Sequence, residues 1–257
     1  MLIYQISDVM YGYGLYGFGA VARWEGLMNE EARLLPIEPM FLRSLRDHVH
    51  DLVRGAIVAG RLKEGEKLNE RRLASQLGTS TTPLKEALRA LELEGLVRSV
   101  ARKGIYVTFS AAQAEEMTLA RAALESMIAR QAAKRVAPEQ VAAMRGFLVQ
   151  MRAALAAVDV PRLIELNEKF HDVIHDASRC EYLRRLQNGQ RMYDHAARLL
   201  VLAEENERVR SVEEHGAIVE AIVAADPDLA ERLMREHVIR AGEKHIGIVF
   251  GARNSEK

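Results

Sequence analysis

Apolar residues recur at helical spacing in the first third of the chain. Leu45, Val49, Leu52, Val53, Ile57 and Val58 fall on one face of a helix, and Leu73, Ala74 and Leu77 repeat the period over a second, shorter one. Gly78 can take left-handed backbone and end that helix, while Ser80 or Thr81 can cap the next. Pro83 suits a first helical turn, where a missing N–H costs little, and Leu88 and Leu91 carry the third helix to Gly95. The pattern then turns strand-like. Leu96-Val97-Arg98-Ser99-Val100 and Ile105-Tyr106-Val107-Thr108-Phe109 flank a basic tip, Ala101-Arg102-Lys103-Gly104. The order predicts a winged helix-turn-helix over residues 41–109, in which the first turn of the third helix offers Thr81, Thr82 and Lys85 to base edges and phosphates in a major groove.

From Gln113 to about Phe250 the sequence is rich in Ala, Leu, Glu and Arg, with few aromatics and no strand-like runs. Breaks near Ala137-Pro138, Asp159-Val160-Pro161, Arg179-Cys180-Glu181, Glu204-Glu205-Asn206 and Asp226-Pro227 predict an antiparallel bundle of six helices over 113–250. Pro138, Pro161 and Pro227 suit first turns, and Asp159 and Asp226 suit caps. The fold class is therefore mostly α, a winged helix-turn-helix followed by an all-α domain. An apolar face on the helix from Gln113 to Ala133 could serve a dimer or the bundle's own core.

Charge sharpens the division. The whole chain is balanced, with 36 basic and 36 acidic residues, but Phe41 to Thr108 holds 13 Lys or Arg against 8 Asp or Glu. That local excess is what contact with phosphate requires. The single cysteine, Cys180, excludes an internal disulfide. No apolar run reaches the roughly 18 residues of a membrane span, so no membrane partner is expected and the expected compartment is the bacterial cytoplasm.

The histidines invite a metal reading. Asn167 and His171 lie four apart on one helix face. His215 and His237 are symmetric about residue 226, the predicted turn, so each stands 11 residues from the bend, about 16 Å along its helix. Neighbouring helices can thus bring two imidazoles to one level, with Asn167 and His171 from a third. Neutral imidazoles suit Zn, Ni, Cu or Fe, and three of them leave positions open for ligand. Asp172 and His175 are reserves. His195, with Arg191 and Arg198, could line a pocket or simply carry surface charge.

The run Leu77-Gly78-Thr79-Ser80-Thr81-Thr82-Pro83-Leu84-Lys85-Glu86-Ala87-Leu88-Arg89-Ala90-Leu91-Glu92-Leu93-Glu94-Gly95-Leu96-Val97 resembles the DNA-binding domain of the GntR family of bacterial transcriptional regulators. The resemblance implies DNA contacts at Arg71, Thr81, Lys85 and the wing tip Lys103-Gly104. Thr81 and Lys85 stand where the family has arginines, and neither makes arginine's two-pronged contact to guanine, so the family's usual operator is not implied. Further on, Arg121-Ala122-Ala123-Leu124-Glu125, Asn167-Glu168-Lys169-Phe170-His171, His215 to Ile222 and Asp226 to His237 resemble the FCD effector domain of the FadR branch, and six helices are more similar to its VanR-type group.

That second resemblance implies that His171, His215 and His237 bind a divalent metal such as Zn or Ni, with Asn167 as fourth ligand in place of a frequent Asp. It also implies a small organic acid effector held by the metal and by Arg121, for which a salt bridge to Glu125 is the competing role. His195 is carried as a second effector contact. A homodimer on a palindromic double-stranded operator is the implied assembly, and a repressor the expected role. A helical metalloenzyme with a nucleic-acid-binding appendage is the alternative, although no HExxH-type base, phosphate loop or nucleophile elbow accompanies the histidines. Residues 1–40 hold 6 of the 14 aromatics and the low-complexity stretch Tyr11 to Gly19. They are expected to be a flexible arm, or an extension that initiation at Met28 or Met40 would omit.

Overall fold

The computed structural model describes residues 45–188 and 191–251. The expectations for residues 1–40, and the first four residues of the predicted DNA-reading domain, lie outside that range.

The reader begins with α1 (Leu45–Val58), whose Val49, Val53, Ile57 and Val58 are buried. Asn69 caps α2 (Glu70–Gln76) by accepting from the Arg72 amide at 3.0 Å. Gly78, with φ +63°, makes the turn into α3 (Thr81–Leu93). Ser80 occupies the cap position of α3 without a side-chain cap bond. Strands β2 (Val97–Val100) and β3 (Gly104–Val107) pair antiparallel, Val97 opposite Val107 and Val100 opposite Gly104. A further strand that the hydrophobic pattern did not predict, β1 (Lys67–Leu68), adds to the other edge of β3. Two residues are too few to show a period. Ile57, Leu84, Leu88, Leu91, Leu96 and Phe109 form the core these elements enclose.

The second domain is helical throughout its described residues: α4 (Ala111–Arg135), α5 (Pro138–Ala156), α6 (Val160–Ser178), α7 (Glu181–Asn188), α8 (Arg191–Val201), α9 (Glu205–Val223) and α10 (Pro227–Phe250). Asp159 and Asp226 accept the amides of Arg162 and Leu229 at 3.1 and 3.0 Å, and each is followed by proline in the first turn. The stretch after Cys180, read as one helix, is described as α7 and α8 on either side of residues 189–190, which lie outside the described residues. Ile128, Met144, Met151, Leu166, Phe170, Ile218 and Met234 fill the bundle core.

The last turns of α10 leave the bundle and enter the reader. Ile246, Val249 and Phe250 pack on its core, and the Phe250 and Phe109 rings lie 5.6 Å apart. His245 Nε2 donates to the Val58 carbonyl at 3.0 Å. No described helix is long and apolar enough to cross a membrane.

Candidate functional site

Two surfaces carry chemistry. On the reader, Arg71, Thr82, Lys85 and Lys103 are exposed and Thr81 is half-buried. The Lys85 ammonium sits 3.6 Å from the Glu70 carboxylate, which brings the first turn of α3 beside the start of α2, next to Arg71. Gly104 has φ +107°, and a Cβ there would come within 3.1 Å of the Lys67 side chain. Arg102, at the same tip, holds φ +61°.

In the bundle, α6 delivers Asn167 and His171 from one face, α9 delivers His215 and α10 delivers His237. The three rings converge, with centroids 5.3 Å apart for His171 and His215, 4.7 Å for His215 and His237 and 5.8 Å for His171 and His237. One candidate ligand nitrogen from each lies within 4.8 Å of the others. All three residues are buried, His215 completely. Neither nitrogen of His171, neither nitrogen of His215, nor the Asn167 Oδ1 has a hydrogen-bond partner among the described residues. Leaving five buried polar atoms unpaired is costly in a dry core, whereas a bound cation would satisfy lone pairs from all three side chains.

The protonation states agree with that use. Burial pushes the His171 imidazole down to about 3, against the pull of Glu125. Burial, helped by the neighbouring His237 and His171, holds His215 well below its usual range, and burial lowers His237 in spite of Glu214. The rings are neutral near pH 7, with lone pairs available to a metal. Glu214 accepts from His237 Nδ1 at 2.7 Å, which leaves Nε2 of that ring to the centre. Burial works to raise the Glu214 pKa, but hydrogen bonds from His237 and Arg240 outweigh it and hold the carboxyl down to about 2.

Beside the histidines lies a cavity of about 30 Å³. Arg121, Asn167, His237, Arg198 and Arg240 reach it, together with apolar Ala197 and Val201 of α8 and Leu202 just after it. Room for water is present, but not room for an organic acid. His195 does not line this cavity. Its Nδ1 bonds Glu168 at 2.6 Å, and Arg198, one turn on, takes the lining position instead. The His195 ring thus faces a carboxylate rather than this cavity. His175 also stands apart: it bonds Glu125 at 2.9 Å, in a second cluster with His171. Asp172 belongs to neither cluster. Arg198 was read from sequence as a possible pocket residue, but Arg240 and Glu214 were not, because only the packing of α9 and α10 reveals what they face.

Comparison with known proteins follows the same two-part division. Residues 45–107 match the model for bacterial regulatory proteins of the gntR family, and residues 116–240 match the FCD domain. The probable D-xylose utilization operon transcriptional repressor of Paenarthrobacter nicotinovorans is 30% identical over 197 residues, covering 76% of this chain and 86% of that one. The chain belongs to the GntR family. The HTH-type transcriptional repressor RspR of Escherichia coli is 25% identical over 218 residues, 84% of this chain and 93% of its own. Among solved structures, E. coli McbR/YncC shares the fold with a TM-score of 0.59 at 22% identity, covering 82% of this chain and 99% of that one. This GntR protein is thus a transcriptional regulator with an FCD domain, and its family is one of DNA-binding regulators rather than of enzymes.

Proposed function

We propose that this regulator binds a palindromic operator as a homodimer and represses transcription, and that its FCD domain holds one divalent metal ion through Asn167, His171, His215 and His237. The observation that carries the metal reading is the buried convergence of three neutral imidazoles, of which His171 and His215, with the Asn167 oxygen, have no hydrogen-bond partner among the described residues. A zinc, nickel or similar ion there would act as a Lewis acid toward carboxylate oxygens. Around it, Arg121, Arg198 and Arg240 line the cavity and offer guanidinium groups to further negative charge. A small organic acid is the effector class that suits this set.

The cavity's size gives the effector its leverage. A ligand larger than water enters only if the wall opens, so it binds the open state better and shifts the population toward it. Movement of the α8 side, which carries Ala197, Arg198, Val201 and Leu202, would open that wall. On the reader, Arg71, Thr81, Thr82, Lys85, Lys103 and Gly104 are the proposed DNA contacts.

Metal analysis of the purified full chain tests the centre. One equivalent of divalent metal is expected in the wild type and none in His215→Ala/His237→Ala. Retention of a full equivalent by the double variant would refute the assignment. Fluorescence anisotropy with DNA from beside the protein's own gene tests the reader, with tight, salt-dependent and site-selective binding expected.

A further inference from the structure

Glu125 is a carboxylate with 1% exposure in the middle of α4, and a charge so placed persists only where partners compensate it. Three side chains surround it. His175 Nε2 lies 2.9 Å from Oε2, Gln187 Nε2 donates to Oε1 at 3.0 Å, and His171 Nδ1 stands 3.6 Å from Oε2. The carboxylate is thus presented by α4 and steadied from α6 and α7, with His171 the one neighbour that also belongs to the convergent histidines.

A neutral imidazole carries one proton, and the nitrogen that holds it cannot bind a cation. On α10 the choice is made by Glu214, which engages Nδ1 of His237. Glu125 is the carboxylate that faces Nδ1 of His171, at 3.6 Å, just beyond hydrogen-bond length. His215 has no such carboxylate among its described hydrogen bonds.

We infer that Glu125 is the positioning residue for His171: its carboxylate accepts the Nδ1–H, leaves Nε2 bare toward His215 and His237, and thereby sets the affinity of the centre for a divalent cation. This rests on the metal reading above and extends it to a side chain that reading does not use. His175 and Gln187 then act one step further out, by holding the carboxylate on its aim.

Zinc affinity, measured by chelator competition on the full chain, tests the assignment with Glu125→Gln, which keeps the shape and removes the charge. The variant is expected to retain one ion per chain and an unaltered circular dichroism spectrum, and to bind about 10- to 100-fold more weakly. Its cobalt-loaded visible spectrum should shift as the His171 ring reorients. In the zinc-loaded wild type, the ring ¹⁵N spectrum should show His171 protonated at Nδ1 and metal-bound at Nε2. A wild type that takes up no zinc would defeat the metal reading and this inference with it. Uptake with equal affinity in the two proteins would overturn the inference alone. So would two ions per wild-type chain falling to one in the variant, since Glu125 would then be a ligand itself. Should the variant fail to fold, the wild-type ring spectrum decides, and zinc on Nδ1 of His171 overturns the inference.

Discussion

Lys85 illustrates how one side chain separates affinity from specificity. It is exposed in the first turn of α3, and its flexible ammonium offers a point charge rather than a planar fork. Lys85→Ala is expected to weaken binding to all duplexes by similar factors and to lower the slope of log affinity against log salt by about one. Arg71→Ala should weaken binding as well, and unchanged affinity in both variants would refute this placement of the DNA surface. His50 allows a prediction in pH. Its hydrogen bond to Glu94, 2.7 Å from Nε2, raises its pKa above the ordinary 6.5, with burial and Arg54 opposing and Asp51 assisting. A raised folded pKa contributes stability that is fully present below 6.5 and is lost as pH rises through the folded value. As pH rises from 6.5 through the raised folded value, the wild type should therefore lose more stability in urea than His50→Gln, and equal slopes would remove His50 from the account. At this scale the sequence was legible where placement follows spacing along one helix, as with Asn167 and His171, which share a buried face. It offered Glu125 only as a partner for Arg121 and was silent on Glu214, because the groups these carboxylates meet come from other helices.

The helices were legible because their punctuation is local. Proline in first turns, aspartate caps at 159 and 226 and glycine at 78 act within a few residues of themselves. The missed element lacks such signals: β1 is two residues long and exists through its pairing with β3. The contact between α4 and α10 shows what spacing cannot reveal. Gly242 lies against Thr118, and a Cβ there would stand 2.2 Å from the Thr118 Cγ2. Real side chains do not approach so closely, so the absence of a side chain at 242 sets how near these two long helices run. Gly242→Ala is expected to force them apart and to cost about 1–3 kcal/mol in chemical denaturation. Because Thr118 and Gly242 also line the cavity, the same change should reshape it. Thr118→Ala in the same chain should recover part of the loss, and a destabilisation untouched by the second change would place its origin elsewhere.

The two domains meet through helices that also wall the cavity. α10 carries His237 and Arg240 at the cavity and continues to His245, which is fully buried against the Val58 carbonyl, and to Phe250 on the Phe109 ring. α8 carries Ala196 in the reader's core and Ala197 and Arg198 on the cavity side. Neither helix can shift at the cavity without disturbing apolar contacts that the reader needs, because packed interiors transmit strain rather than absorb it. Nothing in the periodicity of Pro227 to Phe250 distinguishes its last two turns from the rest, so this bridge could not be read before the fold was known. Its energetic meaning is that reader and bundle should unfold together, each stabilised by the other across the shared contact. Truncating a buried phenylalanine removes about 3 kcal/mol or more, which at Phe250 would fall almost wholly on the junction. Phe250→Ala is therefore expected to split a single calorimetric transition into two, the smaller domain melting first, while zinc uptake stays at the wild-type level because His171, His215 and His237 are untouched. A variant that still melts in one transition at a wild-type midpoint would show that the Phe109–Phe250 contact does not join the domains energetically.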